Sequence, residues 1–324
     1  MSDYLLEVKS LKKYFPKRSG ILMRQTGQVH AVDDISFTLK QGETLGLVGE
    51  SGCGKSTVGK TLLRLHPATS GEVLFEGTDI LALKAPAMRS LRREMQIIFQ
   101  DPFESLNSRH TIGQILEEPL IIHRFGNSSE RQKKVLSLLQ RVGLPDDAAL
   151  RFPHEFSGGQ RQRIGIARAI ALNPKFIICD EAVSALDVSI QSQILNLLLE
   201  LQQEMNIALL FIAHDLAVVK HISDRIAVMY LGQIVETASS DDIYAKAKHP
   251  YTQALIDAIP IPDPSVKKQR IILSGDVPSA ITPPSGCRFH TRCPKAQDRC
   301  RTEQPSLNII NQQEHQVACH FWQE

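Results

Sequence analysis

Gly49-Glu50-Ser51-Gly52-Cys53-Gly54-Lys55-Ser56-Thr57 follows the short run Thr44–Val48 and precedes Val58, Leu62 and Leu65 at helical spacing. Strand, glycine loop and helix, in that order, form the setting in which a loop cradles phosphate. The glycines let the backbone curl until several N–H groups face phosphate oxygens, with a helix N-terminus behind them. Lys55 is expected to reach the β- and γ-phosphates, and the hydroxyl of Ser56 to coordinate Mg²⁺. A glycine-rich turn with an exposed lysine is the plainer alternative. The complete pattern in its strand–loop–helix frame favours binding of a nucleoside triphosphate.

Working outward, Phe176-Ile177-Ile178-Cys179-Asp180-Glu181 is an apolar strand that ends in two acids. Ligands of open α/β sheets bind at such carboxyl ends. Neighbouring side chains on a strand point to opposite faces, so the two acids can take two roles. Asp180 would meet Mg²⁺ through its water shell, and Glu181 would polarise the attacking water. Taken alone, acids at a strand end read equally well as solvated loop residues. Between loop and acids stands Ser157-Gly158-Gly159-Gln160, at the start of a helix through Arg161-Gln162-Arg163. Its glycines expose backbone N–H groups, Ser157 adds a hydroxyl, and the helix dipole favours an anion. An N-capping serine followed by glycines fits the local pattern just as well.

The rest of the chain frames these segments. Strands are predicted near Leu5–Val8, Ala31–Leu39 and Thr44–Val48, with Lys40–Glu43 as a hairpin turn between the last two. Ile112, Ile115 and Leu116, then Val135, Leu138 and Leu139, recur at helical spacing and predict a helical subdomain over about 102–160. Beyond it, helix and strand alternate: a helix through Ala171, strands at 176–180, 207–213 and 225–230, and a helix near Ile190–Glu204. This is the rhythm of a mostly parallel α/β sheet covered by helices. The prolines from Pro250 to Pro284 and the composition shift after Asp241 predict a boundary there, with the nucleotide-binding domain over 1–240 and an extension over 241–324.

Bulk properties exclude several classes. The 324 residues are 42% hydrophobic and 22% charged, which suits a folded chain with a real core. A net charge of +2, with no basic stripe, gives no reason to expect nucleic acid as a partner. The longest apolar run, Ile207–Ala213, is too short to span a bilayer and reads as a buried strand. Met1-Ser2-Asp3-Tyr4 lacks the features of a signal peptide, so the chain is expected to stay in the cytosol. Cys287, Cys293, Cys300 and Cys319 gather near the C-terminus, with five, six and eighteen residues between them. In a reducing compartment such a set suggests metal or iron–sulfur ligation before disulfides.

Phosphate loop, Ser157–Gln160 and the acid pair together resemble the motif set of ABC ATPases over about residues 4–240. The resemblance implies a P-loop NTPase fold with a mostly parallel sheet, antiparallel N-terminal strands and an inserted helical subdomain. It also assigns roles that local sequence does not. Gln100, after Ile97-Ile98-Phe99, would touch Mg²⁺ and the attacking water, and His214 would contact the γ-phosphate. Phe15 would stack on adenine, with Tyr14 as the rival. Ser184-Ala185-Leu186-Asp187 would lie at the contact between paired ATPases, and Ser157–Gln160 would close over ATP held by a partner chain. One departure stands out: Ala182 occupies a position where the family usually carries proline. The loop there gains an N–H and loses a fixed φ.

Phe99–Asn107, His249–Leu255 and Pro283–Pro294 look like the corresponding segments of bacterial dipeptide/oligopeptide importer ATPases. That implies ATP-driven dipeptide or oligopeptide import, with nickel chelates or glutathione as other solutes of close relatives, and a soluble ABC ATPase acting on nucleic acid as the reading from another class. The implied partners are a second ATPase in a heterodimer, two integral membrane permease subunits and an extracytoplasmic solute-binding protein. The implied location is the cytoplasmic face of the bacterial inner membrane, as a peripheral subunit. For the four cysteines the resemblance favours a 4Fe–4S cluster. A zinc site using some of them with His290, His315 or His320, and unligated buried thiols, remain alternatives.

Overall fold

A computed structural model describes residues 4–20, 24–101, 105–184, 186–259, 273, 275–310 and 315–323. Pro102, Phe103 and Glu104 of the importer-like segment, Ala185 of the dimer-contact segment, and Pro260, Pro262 and Pro264 therefore lie outside the described residues. The chain divides into two compact units. One holds residues up to 39, 44–81 and 213 onward; the other holds 40–43 and 82–212.

In the first unit, Leu6–Ser19 pairs antiparallel with Arg24–Leu39 on one side and Ser70–Phe75 on the other. Alternation along these strands buries Leu6, Val8 and Leu11 against Val32, Ile35 and Leu39. A second sheet of this unit sets Thr44–Val48 parallel to Arg225–Tyr230, and Gln233–Ser239 antiparallel to the latter. All five residues of Thr44–Val48 are buried. A strand covered on both faces reads as a continuous run rather than an alternating one. The two strands flanking Lys40–Glu43 thus take partners in different sheets, and that turn is not a hairpin. Its connection is a tight turn, closed by the Glu43 N–H donating to the Lys40 carbonyl at 3.3 Å.

The extension continues this unit. Gln316–Val317 pairs with Glu236 and Thr237, and Asn308–Ile309 pairs with Gln316–Val317. Glu236 is fully buried and gathers the surrounding chain. Its carboxylate accepts the Lys248 and His249 N–H groups at 2.6 and 3.0 Å, and lies 2.7 Å from Nε2 of His315. A buried carboxylate is tolerated only when its oxygens are occupied in this way.

In the second unit, Met95–Ile98, Phe176–Asp180 and Ala208–Ala213 run parallel, in that spatial order. Helices Ile112–Ile122, Ser128–Arg141 and Gly158–Ile170 pack on one another and bury Ile115, Leu116, Leu120, Leu138, Leu139 and Ile164. All three open on capping boxes, Thr111 with Gln114, Asn127 with Glu130 and Ser157 with Gln160, which satisfy N–H groups the helix leaves orphaned. Parallel strands joined through helices make this an α/β fold. Among the described residues, no helix is long and apolar enough to cross a membrane.

Candidate nucleotide site

The phosphate loop begins where Thr44–Val48 ends and opens the helix Lys55–Leu62. Gly54 caps that helix at φ 109°, a left-handed value that glycine adopts without strain. A Cβ there would sit 1.9 Å from the Ala31 carbonyl, and one on Gly49 would sit 2.1 Å from the Met229 carbonyl. Both glycines are therefore demanded by close backbone approach as well as by φ. Lys55 is only 4% exposed, and its ammonium donates to the Gly49 carbonyl at 2.7 Å and the Glu50 carbonyl at 3.0 Å. The lysine is thus drawn back across the mouth of its own loop. Ser51 and Gly52 at the tip are exposed, and Ser56 and Thr57 in the first helical turn are half-buried. Cys53 is buried beside Lys55, and desolvation pushes its thiol above the ordinary range. It packs; it is not a poised nucleophile.

Upstream in the same unit, Tyr14 and Phe15 separate. The Tyr14 hydroxyl donates to Asp33, and its ring leans on His30. Phe15 keeps a half-buried face, edge-on to His66 at 5.3 Å, with the Lys13 ammonium 4.6 Å from its centroid. A ring already paired with a cation and a histidine edge is a pre-set aromatic surface. His214 is exposed and directly follows the strand Ala208–Ala213.

In the second unit Asp180 ends its strand 3% exposed. Glu181 differs from the simple strand picture. Its φ is +49°, so the chain leaves the strand through a left-handed residue, and strand alternation does not set the direction of its side chain. The Glu181 N–H donates to the Ile212 carbonyl at 3.0 Å, which ties the turn to the neighbouring strand. Gln100 Nε2 donates to Glu181 Oε2 at 2.8 Å, so the structure brings together two residues that lie far apart in sequence. Ala182 and Val183 are buried beyond them, and the Ser184 hydroxyl donates to the Glu181 carbonyl at 3.0 Å.

Ser157 caps the helix Gly158–Ile170. Its hydroxyl accepts the Gln160 N–H at 3.3 Å, and Gln160 Oε1 accepts the Ser157 N–H at 2.9 Å. The local capping pattern is therefore real. Ser157 and Gln160 nevertheless remain exposed, while Gly159 is buried, with room so tight that a Cβ would meet Ile190 at 2.5 Å. Asp187 is likewise exposed on its outer side and caps the helix Val188–Met205 through its carboxylate.

The four C-terminal thiols line one small cavity together with His249, His290 and His320. His315 is not part of that lining; it is committed to Glu236. Burial pushes the Cys287 thiol up to about 11, and raises Cys293 and Cys319 as well. The donor type suits a soft metal or an iron–sulfur centre. Yet among the described residues no group of three or more His, Cys, Asp or Glu side chains is arranged to hold a metal ion.

Sequence reasoning passed over two residues that the structure attaches to the loop. Tyr251 accepts the Glu50 N–H at 2.9 Å, and Arg292 forms a two-point ion pair with the Glu50 carboxylate at 2.8 and 3.1 Å. Both lie beyond residue 240, and nothing in their own segments signals a long-range partner.

With this geometry in hand, the likeness to known proteins is specific. Residues 32–184 match the family described as ABC transporter, and residues 235–300 match the oligopeptide/dipeptide transporter C-terminal region. The oligopeptide transport ATP-binding protein AppF of Bacillus subtilis is 54% identical over 99% of this chain and 98% of its own length. A probable peptide ABC transporter ATP-binding protein, y4tS of Sinorhizobium fredii, is 56% identical over 99% of this chain and 90% of its own. Among solved structures, the dimeric ATP-binding cassette MJ0796 bound to ADP and Pi superposes with a TM-score of 0.64, at 29% identity over 72% of this chain and 98% of that one. The cbiO1 protein from Clostridium perfringens, part of the ABC transporter complex cbiONQ, gives the same TM-score at 28% identity over 76% and 92%. The chain belongs to the ABC transporter ATPases, among those that carry the oligopeptide/dipeptide transporter C-terminal region.

Proposed function

We propose that this chain hydrolyses ATP to drive import of dipeptides or oligopeptides across the cytoplasmic membrane. The observation that carries this reading is the pairing of an ABC region with the oligopeptide/dipeptide C-terminal region in one chain, aligned almost end to end with peptide-transport ATP-binding proteins. Residues 1–240 form the ATP-binding domain, 102–160 its inserted helical subdomain and 241–324 the extension.

Each residue has a stated task. The N–H groups of Gly49–Thr57 receive the phosphates, and Lys55 exchanges its loop carbonyls for β- and γ-phosphate oxygens. Ser56, Gln100 and Asp180 would hold Mg²⁺, which would neutralise charge on the phosphates. Phe15 stacks on adenine, and His214 contacts the γ-phosphate. Glu181 takes a proton from the water that attacks phosphorus, and ADP leaves as the bond to the γ-phosphate breaks. The Gln100 amide, which donates to Oε2 of Glu181, holds that carboxylate in place for this task. Ser157, Gly158, Gly159 and Gln160 close over ATP held by a second ATPase, with Ser184 and Asp187 at the contact.

The partners are that second ATPase in a heterodimer, two membrane permease subunits and an extracytoplasmic binding protein, with this chain peripheral on the cytoplasmic face. Ile121, Ile122, Phe125, Leu150 and Phe152, all exposed in the helical subdomain, support docking of that segment on the permease subunits. Reconstituted with those subunits in proteoliposomes, the complex should accumulate a dipeptide or tripeptide only when ATP is present on the side of this chain. Uptake of a nickel chelate or of γ-linked glutathione, with no uptake of ordinary α-linked peptides, would contradict the substrate class.

For the cysteine module we propose a 4Fe–4S cluster held by Cys287, Cys293, Cys300 and Cys319, supported by thiol identity and their shared cavity. Anaerobic purification should yield a brown protein with about four irons per chain. Stoichiometric zinc without iron, or neither metal, would contradict it.

A further inference from the structure

Residue Glu50, inside the phosphate loop, is held from three directions. Its carbonyl accepts Lys55 Nζ at 3.0 Å, its N–H donates to the Tyr251 hydroxyl at 2.9 Å, and its carboxylate pairs with both terminal nitrogens of Arg292. Two of these three anchors come from the extension. They are themselves rigid. Tyr251 is fully buried, with ring centroids 4.8 Å from Tyr230 and 5.4 Å from Phe289. The Arg292 N–H donates to the Phe289 carbonyl at 3.0 Å, and its guanidinium lies 5.9 Å from the centroid of Tyr230. Arg292 is 8% exposed and the Glu50 side chain 27%, so the ion pair is partly withdrawn from solvent and screened less by salt than a surface pair. A planar guanidinium meeting a carboxylate at two points fixes orientation as well as charge.

An anion-binding loop with a carboxylate as its second residue sets a physical problem. Unpaired, the charge of Glu50 would repel the phosphates that the surrounding N–H groups and Lys55 attract. We infer that Arg292, with Tyr251, is a positioning residue for ATP binding: it neutralises Glu50 and locks the loop in its phosphate-receiving shape, so that the extension serves the nucleotide site of its own chain. This rests on reading Gly49–Thr57 as the nucleotide loop.

The test measures ATP affinity with a fluorescent nucleotide, and KM and kcat for ATP in the assembled transporter. Arg292→Met should weaken ATP binding and raise KM by roughly tenfold, the size expected of one uncompensated charge near the phosphates, with kcat within about twofold. Arg292→Met with Glu50→Gln should recover most of that affinity, because the offending charge is gone; a merely structural arginine would not be rescued in this way. Arg292→Lys should fall between. Unchanged affinity and KM in folded Arg292→Met, or a defect that Glu50→Gln leaves in place, would overturn the inference. Should Arg292→Met fail to fold, the rescued double variant and Arg292→Lys carry the same comparison. Loss of ATP binding by Lys55→Ala, with Arg292→Met unaffected, would sink this inference and spare the nucleotide reading. Wild-type protein that binds no ATP would sink both.

Discussion

At the scale of single residues, two positions show how much the backbone decides. Glu181 leaves its strand at a positive φ, so its carboxylate is aimed by a left-handed turn and by Gln100, and not by strand alternation. The acid itself was legible in the sequence; its direction was not, because φ at one residue leaves no mark on composition. His249 is a second case. It is fully buried, caps the helix Pro250–Asp257 by accepting the Tyr251 N–H at 3.1 Å, and burial pulls its imidazole down to about 4. A neutral ring is what the cap needs, since Nδ1 must accept. Because the folded form binds its proton less readily than the unfolded chain, the contribution of His249 is complete above about pH 6.5 and is lost as pH falls towards 4. Thermal denaturation between pH 7.5 and 5 should therefore show a falling Tm. His249→Asn, which keeps a capping acceptor without the titration, should flatten that fall. Equal slopes for the two proteins would contradict the assignment.

At the scale of elements, period and punctuation carried most of the message. Strand Phe176–Asp180, helix Val188–Met205 and strand Ala208–Ala213 follow from apolar runs and helical spacing within a residue or two. Pairing was harder. Lys40–Glu43 has the chemistry of a hairpin turn, yet Arg24–Leu39 and Thr44–Val48 join different sheets. Local turn chemistry records that the chain reverses, and partner choice depends on which faces become buried. The same limit explains the extension. Its proline content signals a departure from regular helix, but no local pattern says that Gln316–Val317 will pair with Glu236 and Thr237. The helix at Ser157–Gln160 shows the opposite case. Its capping box is plain in the sequence and present in the structure, and the exposure of Ser157 and Gln160 leaves their outer faces available to a partner.

At the scale of the molecule, the chain pairs a phosphate loop with the segment Ser157–Gln160, which caps a helix and whose Ser157 and Gln160 stay exposed. The loop is tied to its own extension through Glu50, and in the proposed function Ser157–Gln160 is offered to another chain's nucleotide. On that proposal the protein turns over ATP only as half of a pair, with Glu181 as the base. The decisive measurement is single-turnover ATP hydrolysis by the assembled importer carrying Glu181→Gln. The amide oxygen that this substitution introduces would still accept the Gln100 amide, so the site keeps its shape while losing the base. Hydrolysis should slow by at least about a hundredfold, the usual share of a general base, with ATP retained and the two ATPases held closed. Hydrolysis at the wild-type rate, with ADP released normally, would contradict the role of Glu181 and with it the proposed engine.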